Sequence, residues 1–400
     1  MKKLEGIKGY DWGWLRSREV LWLLIALAAL ASLLVYKLGS LVGALSIGEV
    51  QAATQPVGWH GIFHAPLDLP LKLVRSVVYF FAADHGQTLT RWPNTLFGAL
   101  AVISFSWLVW LWHGRRTAIF MTLMFATSAW VLHASRLASY DVLYLCAVPL
   151  LLLAQALMYR NSQNPAVWYG SFIIWGMLLY VPGMIWLVGL HLFLQRKILS
   201  EAWQDEASSK RRLTTAGLSA VWLPLLVIDF FRPGHFMQWL GMPAHFAAPL
   251  TLLKHFVGVF VHLFIRGPQY PDIWLGRAPV LDVFTLLVTV IGIYFYTKHW
   301  KAWRSRTLGL MFMVGAILVA LGGPVGLSLL VPLLYLAAAA GLAYILHEWL
   351  KVFPLNPLAR SLGIGIIALL VGLSCLYNLR AYFVAWPHNQ DTRTTFQYHQ

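Results

Sequence analysis

Charge is scarce in this chain. Only 11% of its 400 residues are Asp, Glu, Lys or Arg, against roughly a quarter in a soluble domain, and this excludes a water-soluble globular protein. Cysteine is scarcer still. Cys146 and Cys375 are the only two, each inside an apolar run, which leaves no disulfide framework and no cysteine-ligated zinc cluster. Acids are few as well, 15 against 30 Lys and Arg, for a net charge of +15. Such an excess would suit nucleic acid. In a polytopic membrane protein, however, insertion bias gathers basic residues in cytoplasmic loops, and no nucleic-acid partner is expected here.

What the chain has in quantity is apolar sequence. Hydrophobic residues make up 59%, the mean hydropathy is +0.66, and 20 Trp suit belts at both membrane interfaces. Apolar stretches near the ~20 residues that cross a bilayer run over 19–41, 94–112, 117–134, 140–158, 213–231, 280–297, 308–322, 326–346 and 361–379. The stretch 166–194 is too long for one span. It is interrupted by YVPG, Tyr180 to Gly183, and proline and glycine punctuate helices, so it reads as two short helices meeting at a turn. The expectation is an all-α polytopic membrane protein with about eleven spans. The first run is longer than a signal peptide's core and lacks a cleavage pattern, so it is expected to stay as an anchor.

Loop charge orients the spans. With the N-terminal segment 1–18 in the cytoplasm, the inner segments include HGRR (113–116), QRKILSEAWQDEASSKRR (195–212) and TKHWKAWRSR (297–306), and the dense basic clusters fall on that side. The single membrane domain, 1–400, then places its two long loops, 42–93 and 232–279, on the outer face with the tail 380–400. Residues 251–266, interrupted by Lys254, His255 and His262, are expected to lie in or dip into the outer leaflet. In the first loop Leu67, Leu71, Val74, Val77, Val78 and Phe81 recur at helical spacing. Lys72, Arg75 and Ser76 lie off that stripe, which predicts a basic amphipathic helix at the membrane surface.

A first helix, an outer loop opening with an acid, then HAPLDLPL (64–71), LTRWPNTLFGALAV (89–102) and GRRTAIFMTLMFATSAWVLHASRLASYDVLYL (114–145) form an ordered series. That series resembles the GT-C membrane glycosyltransferases, and more narrowly the bacterial aminoarabinose-transferase and protein O-mannosyltransferase-like group. The resemblance covers roughly residues 20–160; YPDIWLGRAPVLD (270–282) and LLVPLLYLAAAAG (329–341) are similar more loosely. It implies an enzyme of the bacterial cytoplasmic membrane with its active site outside. Such an enzyme moves a sugar from a polyprenyl-phosphate donor to a glycan, lipid or protein acceptor. There are departures. Where the group has Asp-Glu after the first helix, this chain has Gly48-Glu49, and where it has a lysine near the fifth and sixth spans, this chain has LLYVPG. No counterpart of the large soluble C-terminal domain of some members is expected here.

Glycosyl transfer from a lipid phosphate needs a carboxylate to take the acceptor's proton. It also needs cations and N–H donors around the leaving phosphate. Glu49 is the candidate base and Asp141 the second candidate acid, matching the group's acid at the start of a span. The alternative for Asp141 is a favourable place in the helix dipole, and for Glu49 an ordinary solvated loop position. The donor phosphate would meet Arg91, Arg136, Lys72, Arg75 and Arg277, whose alternative is anchoring at lipid headgroups. His64, Tyr140 and Tyr180 are candidates for contact with sugar or acceptor. By the resemblance, a divalent cation could bridge an acid and the phosphate, with His64 its candidate ligand. Two other classes stay open: a transporter or lipid flippase, against which the nearly uncharged spans speak, and a non-catalytic envelope-assembly protein.

Overall fold

The computed structural model describes residues 18–54, 59–81, 86–161, 164–196, 200, 214–215, 226–227, 231–232, 234–270, 272–274 and 278–397. Every regular element among them is helical. The first long loop holds three helices between α1 (Arg18–Val35) and α5 (Gln87–His113): α2 (Ile47–Thr54), α3 (Trp59–His64) and α4 (Leu69–Phe81). There follow α6 (Arg115–Thr127), α7 (Ala129–Arg136), α8 (Asp141–Arg160), α9 (Pro165–Leu178) and α10 (Met184–Leu194). Later come α11 (His235–Trp239), α12 (Pro249–Phe264), α13 (Val283–Lys298), α14 (Trp303–Ala320), α15 (Val331–Val352), α16 (Pro357–Arg380) and α17 (Gln390–Gln397).

Among the described residues, five helices are long and apolar enough to cross a membrane: α5, α8, α14, α15 with the turn before it, and α16 with its continuation to His388. The pair α6–α7, bent by 59°, makes a sixth if it is one broken span, and α9, α10, α12, α13 and the apolar part of α1 are shorter apolar helices. The predicted span 213–231 lies almost wholly outside the described residues. At the α6–α7 bend the freed backbone finds a side-chain partner, as it must where no water reaches. Asn378 Oδ1 accepts the Ala129 N–H at 3.1 Å, and its amide donates to Asp282 Oδ2 at 3.1 Å. Asp282 in turn caps α13.

The expected break at YVPG is present. Gly183 has φ 76°, a left-handed conformation open mainly to glycine, and its N–H donates to Trp239 O at 2.9 Å. That bond ties the turn of the α9–α10 hairpin to the second long loop, 232–279. Deeper in the fold, α13 and α15 cross where Gly292 and Gly341 meet. A Cβ on Gly292 would collide with the Ala337 backbone, and one on Gly341 with the Val288 backbone. Lipid offers little hydrophobic drive for helix association, so close backbone contact at small residues does that work.

The spacing in α4 predicts a basic amphipathic helix at the membrane surface, with Lys72, Arg75 and Ser76 off its apolar stripe. Instead Lys72 and Arg75 are buried, at 4% and 1% exposure, while Phe80 and Phe81 are 83% and 81% exposed. The cations point into the protein because carbonyl oxygens await them there, and the aromatic end faces outward.

Candidate active site

The polar centre shared by α2, α5 and the α7–α8 link is built on Glu49. Ser46 precedes α2 and Glu49 stands three residues on, the S-x-x-E spacing of a capping box. Ser46 Oγ accepts the Glu49 N–H at 3.2 Å, and Glu49 Oε2 accepts the Ser46 N–H at 3.1 Å. Arg91 of α5 then grips the same carboxylate with two parallel bonds, Nε to Oε1 at 2.8 Å and Nη2 to Oε2 at 2.7 Å. The Ala138 N–H donates to Oε1 at 2.9 Å. Glu49 and Arg91 are 3% and 1% exposed. A carboxylate has about four lone-pair positions, and here each oxygen accepts twice. None is left for an acceptor hydroxyl, so in this arrangement Glu49 binds segments together instead of taking protons.

The predicted phosphate-binding cations are brought to the same region, but for another purpose. Arg91 also donates to Leu38 O at 3.0 Å and Ala44 O at 2.9 Å, in the turn between α1 and α2. Phe396 of α17 closes over its guanidinium, ring centre 5.9 Å away. Arg136 donates to Leu33 O at 3.3 Å and to Tyr36 O, at the end of α1, and lies over the rings of Tyr382 and Phe383. Arg75 donates to Ala52 O at 2.7 Å in the last turn of α2, and to Asn94 Oδ1 at 3.4 Å. Lys72 Nζ donates to Ala65 O at 2.7 Å, just past α3. Carbonyl ends of short helices carry partial negative charge and orphan acceptors. Arg136, Arg75 and Lys72 each close one. The anticipated anion cradle is thus engaged with backbone oxygens, and Arg277 lies outside the described residues.

Tyr180 is also tied up. It is fully buried against Ile62 and Leu69, and its carbonyl accepts the Asp68 N–H at 2.8 Å, too deep to meet a sugar. Tyr140 is half-buried, its hydroxyl 3.5 Å from Arg75 Nη1. Burial pushes that hydroxyl's pKa up to about 12, with Arg75 holding it back. His64 is exposed and its Nδ1 sits 3.5 Å from Arg232 Nη2, a cationic neighbour that disfavours a divalent ion. Among the described residues no three His, Cys, Asp or Glu side chains gather to hold a metal.

Two acids border the Glu49 knot without being consumed by it. Asp141 opens α8 and hydrogen-bonds Ser328, whose Oγ also accepts from Trp130 Nε1 at 3.0 Å. Asp141 Oδ1 lies 2.7 Å from where a Cβ on Gly326 would stand, so glycine there makes its room. The second is Asp272 of the second long loop, which the residue pattern alone did not single out. Its Oδ2 stands 3.9 Å from the Cβ position of Gly48. Burial raises its pKa and the charge of Glu49 adds to the rise, while the N–H groups of Asp272 and Ile273 oppose it. The available signal was an acid in YPDIW, on the outer side of a chain with only 15 acids.

No protein-family model matches the chain, and no curated protein matches it. Among solved structures it superposes on ArnT from Cupriavidus metallidurans in the apo state, with a TM-score of 0.53 and 14% identity, over 95% of this chain and 78% of that one. It also superposes on ArnT from the same organism bound to undecaprenyl phosphate, with a TM-score of 0.55 and 12% identity, over 94% of this chain and 77% of that one. The chain has the fold of ArnT. At 12–14% identity the correspondence with ArnT lies in the backbone.

Proposed function

We propose that this chain is a GT-C-type glycosyltransferase that moves a sugar from a polyprenyl-phosphate donor to an acceptor on the outer face of a bacterial cytoplasmic membrane. The observation that carries the reading is the ArnT fold over 94–95% of the chain, found also with ArnT bound to undecaprenyl phosphate. Two partly buried acids, Asp141 at the start of α8 and Asp272 beside Gly48, support it, because an acceptor hydroxyl needs a carboxylate within reach. In this reading the Glu49–Arg91 pair is the frame, and Asp141 holds the acceptor by accepting its hydrogen bond. Tyr140 and His64 contact the sugar or acceptor. With Lys72, Arg75, Arg91 and Arg136 engaged by carbonyls, the donor phosphate falls to the part-exposed Arg232 and the exposed Lys254 and Arg266, where charge-assisted bonds stabilise the leaving anion.

Two measurements test it. Mass spectrometry of surface glycans from cells with and without the gene should show a glycan that requires it. The purified chain should be stabilised against heat by undecaprenyl phosphate. Identical glycans across growth conditions, together with no stabilisation, would remove the reading.

A further inference from the structure

Glu49 cannot accept a proton while Arg91, Ser46 and Ala138 fill its oxygens, so another group must do so if transfer occurs here. We propose that Asp272 is the residue that takes the acceptor's proton, its carboxylate standing beside Gly48 of α2. This rests on the glycosyltransferase reading above and adds the identity of its base.

Geometry carries the argument. Gly48 is not among the glycines with positive φ, so its backbone does not call for glycine. What the absent side chain leaves is space, and Asp272 Oδ2 borders it at 3.9 Å. This brings a residue of the second long loop against the helix that carries Glu49, more than two hundred residues earlier in the chain. Asp272 is also close enough to Asp141 for its charge to act there. An acceptor held by Asp141 therefore lies within the reach of the Asp272 charge.

The segment carrying Asp272 is held in place two residues on. Trp274 is buried, donates from Nε1 to Ala278 O at 2.8 Å, and packs on the rings of Trp130 at 5.3 Å and His133 at 5.5 Å. A carboxylate on so fixed a stem has the positional precision that a base needs. Of the neighbouring described acids, Asp282 is buried and bonded to Thr285 and Asn378. Burial and the Glu49 charge raise the Asp272 pKa, which brings a carboxylate nearer to the working range of a base.

In the step, the acceptor oxygen forms a bond to the anomeric carbon as its O–H bond breaks, and the proton passes to Asp272. The bond from the anomeric carbon to the phosphate oxygen breaks, and its electron pair leaves on the polyprenyl phosphate. Asp272 then releases the proton to water.

The test is complementation of a strain lacking the gene, which supplies donor and acceptor as they occur, read by mass spectrometry of the surface glycan. The full chain is supplied as wild type, Asp272→Asn, Asp272→Glu, and Asp272→Asn combined with Gly48→Asp. Each variant is also purified and its stabilisation by undecaprenyl phosphate measured. Expected is a loss of about 10²–10⁴-fold in product for Asp272→Asn, with the undecaprenyl phosphate effect intact and partial activity in Asp272→Glu. The combined variant should recover product, because a carboxylate returns beside that position from the α2 side. Wild-type product from Asp272→Asn would overturn the proposal. So would loss of both product and undecaprenyl phosphate stabilisation without recovery in the combined variant, since that marks a folding or donor-binding role. If wild type itself restores no glycan, the transferase reading fails first.

Discussion

Replacing Arg91 with methionine should be among the most damaging single changes in the outer region. The guanidinium supplies two of the four donors to Glu49 and is also a donor to Leu38 O and Ala44 O. Without it, a carboxylate that is 3% exposed keeps only two backbone N–H groups and no counter-charge. Breaking a buried pair by removing one partner costs about 3–5 kcal/mol, and Glu49→Met, which strands the arginine, should cost a similar amount. The double variant Glu49→Met with Arg91→Met should be far less damaged than the sum of the two. Swapping both charges for apolar groups is often close to neutral, although the carbonyls of Leu38 and Ala44 still lose their donor. The assay is reversible unfolding of the purified protein in mixed micelles for wild type, both singles and the double. A coupling energy near zero would refute the inference that the pair frames the outer loops. The same double variant separates frame from chemistry. If it folds and still makes glycan in the complementation assay, Glu49 is structural, whereas a folded but inert double returns Glu49 to the catalytic step.

Other consequences follow from the same geometry. Arg136→Met removes the donors that close α1 at Leu33 O and Tyr36 O, and bonds to a charged donor are worth about 1.5–3 kcal/mol; hydrogen exchange at the end of α1 should rise, and unchanged protection would contradict the capping role. Gly292→Ala drives a methyl group into the Ala337 backbone and should cost about 1–3 kcal/mol, read as a lower unfolding midpoint; a neutral result would mean that α13 and α15 do not meet there. Because burial and Glu49 raise the Asp272 pKa, the folded state binds that proton more tightly than the unfolded chain. Its contribution to stability is therefore present at low pH and lost as pH rises through the raised value, while transfer, which needs the carboxylate, rises with pH; Asp272→Asn should remove this pH dependence of the unfolding midpoint, and an unchanged profile would argue against it. A fluorophore at Phe80→Cys should be quenched by spin-labelled outer-leaflet lipid, and an unquenched label would mean that the aromatic end of α4 does not face the membrane.

Much of the architecture was readable in the residues themselves. Apolar runs near bilayer length mark α5, α8, α15 and α16, YVPG marks the α9–α10 break, and SIGE carries the capping box that opens α2, a signal available in the sequence and not used there. These are local features, set by hydropathy, by the φ restriction of proline and glycine, and by side-chain reach over three residues. Which face of α4 points inward was not local. Periodicity locates an apolar stripe, but beside a bilayer the exterior is itself apolar, so Phe80 and Phe81 lie outward and the buried carbonyl ends of α2 and α3 draw Arg75 and Lys72 inward. Nor was the partner of Glu49 legible. Arg91 is 42 residues away, and several outer-face cations were equally eligible on charge alone. Only the folded chain brings α2, α5 and the α7–α8 link together, fills the Glu49 oxygens, and sets Asp272 beside Gly48. Composition and periodicity determine which segments are helices and spans, whereas the pairing of polar groups depends on which backbone ends the packing leaves without partners, and that is decided in three dimensions.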